Sequence, residues 1–187
     1  MYALHYKPLI KLWDHKHYQT SPTETQSKIT KRHNNIDGLY TASCLFSLES
    51  CATNPKLTTQ AYSRAALEKF LDEIRKLKQE ITALHGAKLE EWGDIDLVPY
   101  SADKHTTPIT IEDKKLCRST GLLIKTFQSA DLFLFDLYKA QHNEEISNEE
   151  LLEVKSNMLS QLQKLMTAIT SNTKQFHIER KRLEGAK

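Results

Sequence analysis

Between Ala66 and Leu84 the residues Ala66, Phe70, Ile74, Leu77, Ile81 and Leu84 follow one another at spacings of 4, 4, 3, 4 and 3. Only an α-helix brings such positions onto one face, and Leu67 and Leu71 widen the stripe to that of a core-facing helix. The spacing predicts a helix from Thr59 to Leu84, stopped by Gly86 just past its end. A second periodic stretch follows Ser147. There Leu151, Met158 and Leu165 recur every seven residues, and Leu162, Ile169 and Phe176 form a companion seam. Ser147-x-x-Glu150 is a capping box at its start. Asn172 holds the next place in the first seam, where a polar residue can set register between paired helices. Five glycines and five prolines in 187 residues leave little room for the turns of an all-β fold.

The other segments extend this helical reading. Pro8, with its φ already helical, starts a short helix over residues 8–18. From Ser21 to Asp37 the chain is polar and without period, a loop that ends at Gly38. Leu39 to Cys51 forms a helix that Asn54-Pro55 breaks. The run from Leu116 to Ala140 is the most apolar, nearly all round between Leu132 and Leu137, which predicts the central, buried helix. Asp113 caps it, and Gly121 marks a break. Asp131 and Asp136 lie within it about 140° apart around the axis, so they do not converge on one substrate. A buried carboxylate needs partners, so Asp131 should meet a cation or backbone donors. Asp136 should face solvent or a second helix.

Residues 92–105 are turn-rich, with Ile95 to Val98 as a possible short strand. Thr106 to Glu112 is the one strongly β-like stretch: Ile109 and Ile111 point one way and Thr110 the other. A lone strand leaves an unpaired edge. It can pair with Ile95–Val98, or with its own copy in a second subunit to make a two-stranded ribbon of the kind that enters the DNA major groove. In that ribbon Ile109 and Ile111 plug the dimer core and Thr106 and Thr110 face bases. Lys114, Lys115 and Arg118 meet phosphates. A break at Ser119-Thr120-Gly121 completes a ribbon-helix-helix order, with Ser119 and Thr120 at the DNA side.

Charge is uneven. Residues 1–35 carry Lys7, Lys11, Lys16, Lys28, Lys31 and Arg32 against Asp14 and Glu24, and the tail carries Lys174, Arg180, Lys181, Arg182 and Lys187 against Glu179 and Glu184. Basic ends on a near-neutral body suit a polyanionic partner. Cys44, Cys51 and Cys117 form no CxxC pair, so neither a disulfide framework nor a zinc knuckle is expected. Among eight histidines, His15-x-His17 cannot aim both rings at one ion, and no metal site or cofactor is expected. No nucleophile elbow or phosphate loop occurs, which leaves no catalytic residue. The absence of any apolar run near ~20 residues and of a signal-like start predicts a cytoplasmic protein without membrane contact.

The succession Gly38-Leu39-Tyr40, Pro55-x-x-Thr58-x-x-Ala61-Tyr62, Thr107-Pro108-Ile109-Thr110-Ile111, Gly121-Leu122-Leu123 and Ala130-Asp131 resembles the AcaB family of transcriptional regulators. These are encoded on conjugative plasmids and integrating conjugative elements. Leu4-His5-Tyr6-Lys7 ahead of Leu12-Trp13 is similar to the family's opening segment. The resemblance implies a DNA-binding activator of transfer genes, acting as a homodimer or higher oligomer through a ribbon-helix-helix motif, with no small-molecule substrate. A short basic N-terminal strand of the usual ribbon-helix-helix kind is lacking, so Tyr2–Lys7 competes with 106–112 for the role of DNA-reading ribbon. Taken together, the expectation is a single mainly α domain over residues 1–187. It has a polar loop at about 20–37, a strand-helix unit at about 105–140, and a short strand that can form an intersubunit ribbon. The alternative is a helical accessory factor of a conjugation system that binds protein and not DNA.

Overall fold

The computed structural model describes residues 2–17, 36–93, 98–101 and 106–185. Five helices run in the order α1 (Lys7–Trp13), α2 (Gly38–Thr53), α3 (Gln60–Trp92), α4 (Arg118–His142) and α5 (Asn148–Gly185). Strands β1 (Ala3–Leu4) and β2 (Thr107–Pro108) make one small antiparallel sheet. The mainly α reading with one short β element holds. The expected polar loop lies almost wholly outside the described residues, as does most of the Ile95–Val98 segment.

Helix directions follow from side-chain links near both ends. Ile36 and Ser47 meet Gln163 and His177, so α2 and α5 run parallel. Tyr62 stacks on Phe176 while Lys88 pairs with Glu150, so α3 runs against α5. Arg118 reaches Glu68 and Asp136 reaches His85, so α3 and α4 run parallel. Two consecutive parallel helices need a connection that returns along the bundle. β2 lies on the connection between α3 and α4.

The periodic faces are spent inside the chain. Leu67, Phe70, Leu71, Ile74, Leu77 and Ile81 of α3 enter one core with Leu123, Ile124, Phe127, Phe133, Leu134 and Leu137 of α4. Both seams of α5 join it, from Leu151 to Phe176. Asn172 is exposed in the C-terminal half of α5. Leu132 departs from the all-round apolar reading, being 63% exposed.

The structure departs from the local signals at four places. Gly86 does not stop α3, which continues to a C-cap at Gly93 in the left-handed region, φ 63°. A glycine in an exposed helical position costs only about 1 kcal/mol, and burial of Trp92 with the Lys88–Glu150 bridge at 2.8 Å outweighs it. Asp113 does not cap α4. It opens a single 3-10 turn, Asp113–Lys115, and Cys117 is the cap. Gly121 sits in unbroken helix, so no helix-turn-helix forms between residues 118 and 142. The β-like stretch shrinks to two paired residues, because Pro108 has no N–H to donate.

Four carboxylates join segments far apart in sequence. Asp131, 4% exposed, accepts from the His5 N–H at 3.0 Å, the Tyr6 N–H at 3.3 Å and His5 Nδ1 at 2.6 Å. The expected buried partners are therefore backbone donors and an imidazole. Asp136 pairs with His85 of α3 at 2.7 Å, the second-helix alternative. Glu49 of α2 accepts from the Ser119 N–H at 2.9 Å, the Ser119 hydroxyl at 2.5 Å and the Arg118 N–H at 3.3 Å. It thus caps α4 from outside, where a helix N-terminus favours negative charge. Burial alone would raise the Glu49 carboxyl, but hydrogen bonds from Cys117, Ser119 and the two backbone N–H groups hold it below the usual range. The fourth carboxylate is Asp37, described below.

Replacing Asp131 by Leu strands two backbone N–H groups and an imidazole, a loss of about 3 kcal/mol. Thermal melts should show a fall of roughly 6–12 °C, against a few degrees for Asp136→Asn, which can still bond His85. Equal shifts would mean that Asp131 does not anchor the N-terminus. Glu49→Gln should cost on the order of 1 kcal/mol at pH 7. A carboxyl depressed in the folded state stabilises above its unfolded value of about 4.3 and loses that contribution as pH falls through the folded value. Denaturant unfolding at pH 7 and pH 3 should therefore show wild type and variant converging in acid.

Candidate functional site

The DNA-facing residues expected from sequence fall into two groups. Thr106, Thr110, Lys114 and Arg118 are exposed, and Lys115 is partly so. They lie on the crossover and the first turn of α4. Ser119 and Thr120 belong to another environment: both are 0% exposed. The Ser119 hydroxyl donates to Glu49, and the Thr120 hydroxyl lies 2.9 Å from the Lys115 carbonyl and 3.1 Å from that of Cys117. Serving as capping groups of α4, they cannot touch a ligand on the outside.

The exposed cations have carboxylate partners. Lys114 and Lys115 approach Glu112 at 2.9 and 2.6 Å, and Arg118 approaches Glu68 at 2.9 Å. Hydrogen bonds from Lys115 and then Lys114 pull the Glu112 carboxyl down to about 2. Such pairs at the surface are weak, because water and salt screen them and long side chains must be immobilised. A phosphate can take the place of Glu112 or Glu68 at little cost. Thr110 and Lys115 also line a shallow groove with Leu39, Ser43, Ile111 and Glu112.

The two segments that competed for the role of ribbon are each other's partners within one chain. Ala3 pairs with Pro108 and Leu4 with Thr107, and the Ile109 N–H donates to the Tyr2 carbonyl at 2.8 Å. The strand edge that was expected to meet a second subunit is covered on this side by the chain's own N-terminus. The alternation itself is as expected: Ile109 is buried, Ile111 packs against the same core and Thr110 faces out. Behind this sheet Tyr6 stacks on Tyr138 with ring centroids 5.1 Å apart, and its hydroxyl meets that of Tyr100 at 3.3 Å. Burial, then the Tyr100 hydrogen bond, push the Tyr6 hydroxyl far above its usual range.

A second cluster was not legible in sequence. Asp14, His15 and Asp37 bring one imidazole nitrogen and two carboxylate oxygens within 4.8 Å of one another. His15 joins Asp37 rather than His17, its neighbour in the His-x-His pair. Asp37 stands directly before α2 and accepts the Tyr40 N–H at 2.8 Å, so the N-cap signal was there to be read. Its meeting with His15 depends on tertiary contact alone. Trp13 packs edge-on against Phe127 of α4 and lies so close to Gly38 that a Cβ there would sit 2.4 Å from its ring.

No described helix is long and apolar enough to cross a membrane. No family model, curated protein or solved structure matches the chain.

Proposed function

We propose that this chain is a non-enzymatic regulator that binds double-stranded DNA, and that it activates conjugative-transfer genes as its resemblance to the AcaB family implies. One observation carries the reading. Thr106, Thr110, Lys114, Lys115 and Arg118 line an exposed edge whose backbone is pinned by β1 on one side and by the Glu49 cap on the other. Threonine hydroxyls suit base edges and the cations suit phosphates. Ser119 and Thr120 leave the contact set, since they are buried. Lys7, Lys11 and Lys16 near one end of the chain and Lys174 and Lys181 near the other add long-range attraction. The regulator works in the cytoplasm as a homodimer or higher oligomer, with Leu132, Leu152 and Ile178 the most exposed of the large apolar side chains at its surface. No cofactor or small-molecule substrate enters this reading.

A second reading rests on the neutrality of the same edge, where Glu112 and the exposed Asp113 balance Lys114 and Lys115, and Glu68 answers Arg118. A surface without net charge suits a protein partner, and the chain is then a helical accessory factor of a conjugation system. It is also consistent with the apolar floor between α3 and α5, made by Ile81, Leu84, Phe133, Val154 and Met158.

Gel-shift titrations against promoter fragments at two or more salt concentrations separate the two. On the DNA reading, Lys114→Ala or Arg118→Ala weakens binding to all sequences and lowers the salt slope by roughly one unit each. Thr110→Ala relaxes discrimination between fragments and leaves the slope alone. If only the basic termini attract DNA, removing residues 174–187 abolishes binding and Thr110→Ala changes nothing. Absence of binding to every fragment at physiological salt overturns the DNA reading in favour of the protein-binding one.

A further inference from the structure

The geometry points to a divalent-cation site at the junction of α1 and α2, made by Asp14, His15 and Asp37. It is independent of the DNA-binding edge. Two carboxylates and one neutral imidazole carry a formal charge of minus two, which a divalent ion cancels. Ligand atoms around an ion with bonds of about 2.0–2.2 Å stand roughly 3 Å apart. The three groups here lie within 4.8 Å of one another, so small rotations of the half-buried Asp14 and His15 side chains bring them to that spacing. Three protein ligands leave further positions to water.

The carboxylates are held as metal ligands usually are, each fixed through one oxygen by a backbone donor. The Tyr40 N–H binds Asp37 Oδ1 at 2.8 Å, and the Lys16 N–H binds Asp14 Oδ1 at 2.9 Å. Asp37 is 6% exposed, and its Oδ2 lies 2.5 Å from His15 Nδ1. The hydrogen between these two atoms gives way when a cation takes its place. The close seat of Trp13 on Gly38 fixes residues 14 and 15 beside residue 37 before any ion arrives. The imidazole selects against Ca²⁺ and Mg²⁺, which prefer all-oxygen shells, and favours Zn²⁺ or another first-row ion. Bound there, the ion ties the end of α1 to the start of α2. Any ion that binds only the folded chain adds stability by mass action.

The test uses the full chain after chelator treatment, titrated calorimetrically with Zn²⁺ and in parallel with Ca²⁺, with thermal melts at each metal concentration. The expected result is one saturable Zn²⁺ per chain, a melting temperature that rises with Zn²⁺, and much weaker binding of Ca²⁺. His15→Ala should remove the binding and the melting shift. Asp37→Asn keeps the N-cap, since the amide oxygen still accepts the Tyr40 N–H, but gives up a ligand charge. It should weaken Zn²⁺ at least tenfold while the circular dichroism stays that of the wild type. The absence of a saturable site overturns the proposal. So does a Zn²⁺ affinity unchanged in both variants, which would assign the ion to histidines elsewhere on the surface.

Discussion

The parallel run of α3 and α4 is the constraint on which the rest of this structure depends. A helix of 33 residues is about 50 Å long, and a chain that leaves its far end must travel back before a parallel neighbour can start. The connection between α3 and α4 makes that return. The return supplies the molecule's second strand, its 3-10 turn and the cap of α4. The edge with Thr106, Thr110, Lys114 and Lys115 lies on the described part of this connection, residues 106–117.

An extended segment on a helical bundle has backbone groups to satisfy, and the N-terminus meets that need. Tyr2 to Leu4 pair with 107–109, and Asp131 then takes the N–H groups of His5 and Tyr6 as the chain turns into α1. Glu49 performs the corresponding service where the crossover enters α4. Asp37 does so at the start of α2. In each case a carboxylate accepts hydrogen bonds from backbone N–H groups. These nodes also order the surface: the candidate DNA-binding edge is bounded by two of them, and the Asp14–His15–Asp37 cluster is built around the third.

Much of the architecture was legible because helical periodicity is a local property. The stripes of α3 and α5, the Ser147 cap and the break at Asn54-Pro55 all follow from residues within a turn or two of each other. The need of Asp131 for partners was legible too, since the cost of burying a carboxylate does not depend on which donors answer it. The candidate edge was read only in part. Thr110, Lys114 and Arg118 are exposed as expected, whereas Ser119 and Thr120 are turned inward by Glu49 and by the preceding carbonyls, partners that pattern alone does not reveal.

By itself, then, the sequence determined the helices, their apolar faces and the outward alternation of Thr110 between two isoleucines. Only the tertiary structure decided which partner each face and edge takes. The seams of α5 could serve a neighbouring subunit or the chain's own core, and they close on the latter because α2, α3 and α4 are held beside them at high effective concentration. The same holds for β2, which pairs with the N-terminus, and for Gly86, where distant packing of Trp92 outweighs a local stop signal. His15 meets Asp37 for a like reason: Trp13 packs against Gly38, a contact between residues 25 positions apart in the chain. Local propensities are worth about 1 kcal/mol or less per residue, while burial of a single large side chain is worth about 1.5–3 kcal/mol. Where the two conflicted here, burial prevailed.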